Sequence, residues 1–384
     1  MSVTAPSGFA ASGVACGIRR KGRDLALVRS TQPAVGAAMF TTNRMQAAPV
    51  VVSREHLAAA EPQAVVINSG VANAATGAAG IAAARTTAAQ AAMLLGVRPE
   101  QVLVLSTGVI GAPLPLDRLL PGLAEAAAAL STAGGEAAAD AILTTDTRPK
   151  LAAAHGSGFA VGGMVKGAGM IHPHLATMLA VVTTDYPLEA DEGAEFLRPA
   201  VEESFNSISV DGECSTNDAV VLLANGASGA QRDDAAFAAA LGAVCADLAR
   251  QIVADGEGAT LVAEISVNGA ADVDEARAIA RRIATSPLVK TALFGRDANW
   301  GRVLAAAGSA PYNGGYARLD PDRLTLRFNG STVLAGGAPL QDEPDLSGTT
   351  CRIELDLGLG DGRAEYLTSD LSYDYVRINA DYRT

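Results

Sequence analysis

Two stretches early in the chain, 64–70 (AVVINSG) and 101–111 (QVLVLSTGVIG), are apolar residue after residue over 64–67 and 102–105 and then run into glycine. A strand with no polar face must be covered on both sides, so such runs commit the chain to a sheet buried between other layers. Between them, Asn73 reads as the N-cap of a long alanine-rich helix that reaches about Leu95 and ends at Gly96. Upstream, VACGI, DLALVRS, AVGAAMFTT and PVVVSR read as short strands set apart by charged or Pro/Gly punctuation. Residues 116–143 read as two helices split by Gly134-Gly135.

A second strand-rich stretch follows, with FAVGGMVKGAGM at 159–170, the turn IHPHL, and ATMLAVVTTDY at 176–186. Helical patterns fill 189–204, 234–254, 273–285 and 299–307, and strands fill 218–224 and 259–267. The closing part returns to strand-like segments such as RLTLRF and CRIELDL. Strands grouped at both ends predict an α+β layered fold, not a regular βαβ alternation. At 384 residues the chain is long enough for roughly two to three domain-sized units. No fixed-period repeat or long flexible linker is evident.

A net charge of −12 repels phosphate backbones and anionic lipid, so neither nucleic acid nor membrane is an expected partner. The four cysteines, Cys16, Cys214, Cys245 and Cys351, are scattered and read as reduced thiols. The N-terminal residues lack the basic start and apolar core of a signal peptide, and the alanine-rich runs are too short to span a bilayer. A cytoplasmic location is expected.

The familiar catalytic signatures are missing: GxxxxGK[ST], HExxH, a strand-linked GxGxxG and GxSxG do not occur. Of the four histidines, His172 and His174 could be read as metal ligands, but Pro173 separates them and no third ligand is near. No metal or cofactor is expected. An acyl-transfer enzyme of this composition must therefore activate its nucleophile without histidine. An N-terminal threonine does so, because its own α-amine, with an ordinary pKa of about 7.7–8.0, serves as the base. Such an amine is made by cutting the chain before a threonine that heads a buried strand. Leu175-Ala176-Thr177-Met178-Leu179-Ala180-Val181-Val182 has that form, and it is equally the form of a threonine that simply opens a β-strand.

Lys166-Gly167-Ala168-Gly169-Met170-Ile171 and then Leu175-Ala176-Thr177-Met178-Leu179 resemble the processing site of the ornithine acetyltransferase family, the bifunctional glutamate N-acetyltransferases. Other family-like blocks stand in family order. They are Ser106-Thr107-Gly108-Val109-Ile110-Gly111, Thr144-Thr145-Asp146-Thr147-Arg148-Pro149-Lys150, Asp255-Gly256-Glu257-Gly258-Ala259-Thr260, Asn299-Trp300-Gly301-Arg302 and Asn379-Ala380-Asp381-Tyr382-Arg383-Thr384. The resemblance spans essentially the whole chain.

The resemblance implies a layered α/β sandwich of the self-processing DmpA/ArgJ-like type with N-terminal-nucleophile chemistry. It implies cleavage between Ala176 and Thr177, giving an α chain of 1–176 and a β chain of 177–384, two of each forming a heterotetramer. Thr177 becomes the nucleophile, and Thr107 and Gly108 the oxyanion donors; without the resemblance, these two would read as an ordinary strand-to-helix turn. Thr144 binds substrate, against a plain reading as a helix-end cap. Lys166 holds a substrate carboxylate or steadies the cleavage intermediate, against a surface lysine. Glu257 meets the ornithine ammonium groups, against a solvated turn carboxylate. Asn379 and Thr384 complete the substrate ligands, and the run 373–378 is suited to pinning that tail.

The implied reaction moves acetyl from N-acetyl-L-ornithine to L-glutamate, releasing L-ornithine and N-acetyl-L-glutamate, with acetyl-CoA as a further donor in some members. Rival readings are a self-processing amidase or aminopeptidase, a paralogue in secondary metabolism, and a non-enzymatic binding protein with Thr177 buried in a strand.

Overall fold

A computed structural model describes residues 2–172, 178–341 and 343–381. The chain divides into two compact units, one of Met1–Asn206 with Glu213–Ile252 and one of Ser207–Gly212 with Val253–Tyr382. The architecture is α+β and layered, as the grouping of strands implied.

Among the described residues, the first unit holds nine strands: β1 (Phe9–Val14), β2 (Leu25–Ser30), β3 (Val35–Phe40), β4 (Ala64–Val71), β5 (Val102–Val109), β6 (Lys150–His155), β7 (Ala160–Lys166), β8 (Leu179–Thr184) and β9 (Ala219–Ala224). They form a four-stranded sheet in the order β1-β2-β4-β5 and a five-stranded sheet in the order β3-β9-β8-β7-β6. Strand periodicity explains how the apolar runs are used. Leu103, Leu105, Val65 and Ile67 on one sheet meet Leu179, Val181, Val221 and Leu223 on the other in a single core. The alternate residues Val102, Val104, Ala64 and Val66 face the opposite way. They pack against helices α2 (Gly77–Leu95) and α3 (Leu116–Ala128) through Ala84, Ala88, Ala91, Leu119 and Leu123. On the far side of the five-stranded sheet, Gly163 of β7 gives room to the last helix of the unit, Asp234–Ala254. A Cβ there would lie 2.8 Å from Leu248 and 3.1 Å from Val244. That helix is long and apolar enough to cross a membrane by length and composition. Its Phe237, Leu241, Val244, Leu248 and Ile252 are all buried within the protein.

Several local expectations change. PVVVSR is not a strand but part of helix α1 (Ala48–Ala59), with proline in its first turn, where a missing N–H costs little. Short β-branched runs do not distinguish helix from strand, and docking decides here. Ser53 donates to Val104 O (2.7 Å) and accepts from Val104 N–H (2.8 Å), while His56 Nδ1 lies 2.9 Å from Val102 O. The helix thereby covers the open edge of β5. VACGI is not a strand beyond Val14; the chain turns instead, and the Asp24 carboxylate accepts from the amides of Cys16 and Arg19. Asn73 is not the N-cap of α2, which starts at Gly77. It adopts φ +50° and braces the approach, donating to Gly80 O (3.0 Å) and accepting from the Thr76 hydroxyl (2.8 Å). Gly96 ends the helix in the left-handed conformation, as expected. β6 and the helix Pro287–Phe294 have no counterpart in the sequence reading.

Among the described residues, the second unit is built on a seven-stranded sheet, beside a two-stranded one of Pro311–Tyr312 and Gly315–Tyr316. The order of the larger sheet runs Ala338–Pro339, Ser331–Ala335, Thr325–Phe328, Thr350–Asp356, Val262–Ala270, Gly362–Ser369 and Ile208–Ser209. One face carries Ile265, Val267, Ile353, Leu355 and Leu326, packed with Ile279, Ile283, Leu293 and Val303 from the helices Val273–Ala284, Pro287–Phe294 and Trp300–Gly308. The alternate residues are polar, such as Glu264 and Arg352, which pair at 3.0 Å. The run at 373–378 is helical, within Tyr373–Asp381.

Leu103 is wholly buried between the two sheets of the first unit. Leu103→Ala should therefore cost about 2–5 kcal/mol, read as a lowered thermal or urea midpoint. A midpoint equal to wild type would mean the sheets do not pack face to face there.

Candidate functional site

The register of three neighbouring strands builds the site. β7 runs antiparallel to β8 with Lys166 opposite Leu179, and β8 runs parallel to β9 with Leu179 opposite Ala219. Lys166, Met178 and Asp218 are thus drawn to one end of the five-stranded sheet. In the other sheet, Gly70 and Gly108, each one residue before the end of its strand, face each other where the β4–β5 ladder loses its register. Gly108 has φ +129°, and a Cβ on it would fall 2.3 Å from the Gly70 carbonyl carbon, so only glycine fits. The sequence expectation of a turn at Thr107 and Gly108 is corrected: the strand continues to Val109 and the irregularity lies within it.

Thr107 and Lys166 come together. Lys166 is only 2% exposed, and its Nζ donates to Thr107 Oγ1 at 3.4 Å. The alternative of a surface lysine is excluded. A buried ammonium requires compensation, and Asp146 supplies it. Asp146 Oδ2 lies 3.9 Å from Lys166 Nζ and accepts the Thr144 N–H at 3.1 Å. Its Oδ1 takes Lys150 Nζ at 2.6 Å and the Gly167 N–H at 2.7 Å. Burial would raise the Asp146 carboxyl, but the charges of Lys166 and Lys150, with these hydrogen bonds, hold it at about 2. Thr144 is thereby tied to the same carboxylate through its backbone.

Asp218, just ahead of β9, is fully buried. Its Oδ1 accepts the Met178 N–H at 3.0 Å. Burial pushes its carboxyl well above the ordinary carboxylate range, against smaller opposing effects from the Met178 amide, the Lys166 charge and the hydroxyls of Ser215 and Thr41. Next to it, Asn217 Nδ2 donates to Ser106 O (2.9 Å) and Ala72 O (2.7 Å), lacing the end of β5 to this corner. Asp146, Asp218 and Asn217 were not singled out from the sequence. Asp146 was visible as the acid inside the 144–150 block. Asp218 gave only the weaker signal of a polar residue flush against an apolar strand.

In the second unit two expected substrate ligands meet: Asn379 Nδ2 donates to Glu257 Oε2 at 2.7 Å. The Glu257 turn is clamped to the segment before the last helix. Asp370 accepts the amides of Thr260 (2.8 Å) and Leu261 (3.0 Å), and the Ser372 hydroxyl donates to Gly258 O at 2.6 Å. Ala176, Thr177 and Thr384 lie outside the described residues, as does His174.

Fold and site together define a layered α+β protein whose first unit closes two sheets on a buried lysine, a threonine and two buried carboxyls. The model of the ArgJ family matches residues 10–384, and the chain belongs to that family. It is 48% identical to the arginine biosynthesis bifunctional protein ArgJ of Symbiobacterium thermophilum, over 100% of this chain and 98% of the relative. It is 50% identical to the protein of the same name from Mycolicibacterium paratuberculosis, over 99% of this chain and 96% of the relative. Among solved structures, the ornithine acetyltransferase of Mycobacterium tuberculosis, complexed with ornithine, is 44% identical. That match covers 45% of this chain and 94% of that one, with a TM-score of 0.44.

Asp146→Asn takes the carboxylate out of a buried ion cluster and should cost about 3–5 kcal/mol at neutral pH. Because the folded pKa of Asp146 is depressed to about 2, its contribution is complete above the unfolded value, about 4. The contribution is lost as pH falls toward 2. The gap in melting temperature between wild type and variant should therefore narrow over that window; a pH-independent gap would contradict the ion cluster.

Proposed function

We propose that this protein is a self-processing acetyltransferase of arginine biosynthesis. In this reading it moves acetyl from N2-acetyl-L-ornithine to L-glutamate through an acetyl ester on Thr177. The observation that carries the reading is the buried Lys166 ammonium against Thr107, in a chain that matches proteins named for arginine biosynthesis along its whole length.

In the self-cleavage, Thr177 Oγ attacks the Ala176 carbonyl carbon, the Ala176–Thr177 C–N bond breaks, and the hydroxyl proton ends on the Thr177 nitrogen. Water then hydrolyses the ester, leaving an Ala176 carboxylate and a free Thr177. The two chains, 1–176 and 177–384, remain assembled, and two such pairs form the heterotetramer. In the transfer, the new α-amine takes the hydroxyl proton as Oγ attacks the acetyl carbonyl of the donor. The proton passes to the departing nitrogen, and L-ornithine leaves. The α-amine of L-glutamate attacks the ester, Oγ regains its proton, and N-acetyl-L-glutamate leaves. Thr107 and Gly108 provide donors to the oxyanion at both tetrahedral stages. Lys166 holds a substrate carboxylate, Thr144 binds substrate, and Glu257, Asn379 and Thr384 bind the amino-acid ends. Acetyl-CoA is the candidate second donor: Oγ attacks its thioester carbonyl, coenzyme A leaves with the proton, and the same acetyl ester forms.

Three outcomes test this. Denaturing electrophoresis of the purified protein should give two bands, and Thr177→Ala only the uncut chain. Incubation with N-acetylornithine and glutamate should give parallel double-reciprocal lines, and a repeat with acetyl-CoA as sole donor tests the second source. Release of acetate without dependence on glutamate would assign the amidase reading instead. Asn379→Ala, which removes a hydrogen bond to a charged partner at about 1.5–3 kcal/mol, should raise the Michaelis constant for N-acetylornithine about ten- to hundredfold while cleavage persists. An unchanged constant would remove Asn379 from the site.

A further inference from the structure

The net charge that turns nucleic acid away also acts against one of the two donors. N-acetylornithine is a zwitterion with no net charge, whereas acetyl-CoA carries a diphosphate and a 3′-phosphate, about three to four negative charges at neutral pH. A protein of net charge −12 repels such a molecule unless a local group of cations outweighs the rest of its surface. One segment of the first unit has that composition: positions 19–23 read Arg-Arg-Lys-Gly-Arg.

The segment is a pinned loop. At its base Asp24 is wholly buried and accepts the amides of Cys16 and Arg19 at 2.6 and 2.8 Å, while its carbonyl accepts the Ser69 N–H at 2.9 Å. Arg118, in the first turn of α3, donates to Gly17 O at 2.7 Å and brings a further guanidinium to the same loop. Arg19 turns inward, and its Nη1 donates to Leu143 O at 2.8 Å. Its aliphatic stem lies over Gly70, where a Cβ would come within 2.8 Å of Arg19 Cγ and 3.1 Å of Ile18 Cγ2. Gly70 in turn meets Gly108. The loop is thus one residue removed from Thr144 on one side and from Gly108 on the other. Arg20, Lys21 and Arg23 are exposed. Arg23 pairs with Asp140 at 3.0 Å, but Arg20 and Lys21 have no hydrogen bond or ion pair among the described residues. A run of cations that served solubility alone would gain nothing from a fixed backbone or from a seat beside these groups.

We propose that the loop at 19–23, with Arg118, binds the phosphates of a coenzyme A thioester. This rests on the acetyl-CoA arm of the reading above. Arg20 and Lys21 take the phosphates, and Arg19 and Arg118 hold the shape of the loop. The flexible chain between phosphates and thioester carries the acetyl group toward Thr107 and Gly108. Because N-acetylornithine has no phosphate, the loop separates the two donors: it draws in acetyl-CoA and is indifferent to the amide.

Arg20→Glu combined with Lys21→Glu tests the assignment. Arg323→Glu with Arg363→Glu, two exposed cations of the second unit, makes the same change in net charge elsewhere. Binding of coenzyme A and of ATP is measured by calorimetry, folding by thermal shift, and transfer with each donor. The loop reversal should weaken coenzyme A binding at least about tenfold and raise the KM for acetyl-CoA to match, with the KM for N-acetylornithine within about twofold of wild type. Wild-type affinity should fall as salt is raised, and that dependence should flatten in the loop variant. ATP should bind the wild type more weakly than coenzyme A does. A folded loop variant that binds coenzyme A like wild type overturns the assignment, as does a wild type that does not bind it. An equal loss in the second-unit variant also overturns it, and so does ATP binding more tightly than coenzyme A, which would make the loop a nucleotide site. Should the reversal not fold, Arg20→Ala with Lys21→Ala is judged by the same measurements, with a loss of at least about threefold expected. Loop-dependent binding of coenzyme A in a protein that makes no N-acetylglutamate from acetyl-CoA would leave this site standing and remove acetyl-CoA from the proposed function.

Discussion

A lysine ammonium in the interior of a sheet sandwich is tolerable only with a carboxylate to answer it, and Asp146 is the group on which the first unit turns. Through two oxygens it joins Lys150, Lys166, the Gly167 amide and the Thr144 amide. These partners belong to the segment after the helix at Gly135–Ala141, to β6, and to the end of β7. Removing the carboxylate would release three pieces of backbone as well as two charges. Packing alone would not place Lys166 against Thr107, because an apolar neighbour offers an ammonium nothing.

Much of this was legible in the sequence, and for a physical reason. Runs that are apolar at every position, such as 64–67 and 102–105, have one stable solution in water, a strand covered on both faces, and β4 and β5 are those strands. Lys166 stood out because a lone cation among glycines has no local reason to be there. Glu257 and Asn379 were named separately and are hydrogen-bonded in the structure. What was not legible depended on partners distant in sequence. PVVVSR has a β-branched composition, yet its fate was decided by the edge of β5, whose backbone it serves through Ser53 and His56. Asn73 has the right chemistry for a cap and uses it on a loop. Asp218 carries no motif at all, and its meaning comes from the Met178 amide 40 residues away.

The two polar groupings differ in kind. The side chains of Asp146, Lys150, Lys166 and Asp218 are buried, so small displacements are costly and the geometry is stiff. Around Glu257 the hydrogen bond from Asn379 is exposed and held by a helix with no buried residue, while the turn beneath it is clamped by Asp370 and Ser372. A stiff cluster suits groups that must meet reacting atoms to within a fraction of an ångström. A surface pair over a fixed turn suits the recognition of a substrate's charged end, where exchange with water is fast.

The register of β7, β8 and β9 links folding to chemistry. Lys166, Leu179 and Ala219 stand in one row across the sheet. Side chains alternate along a strand, so a slip of one residue in β8 would turn Leu179 and Val181 out of the core between the sheets. The same slip would carry Met178 N away from Asp218. Core burial and the placement of the residue after Thr177 are therefore a single constraint: the alignment that satisfies the apolar side chains also delivers the Met178 amide to its acceptor.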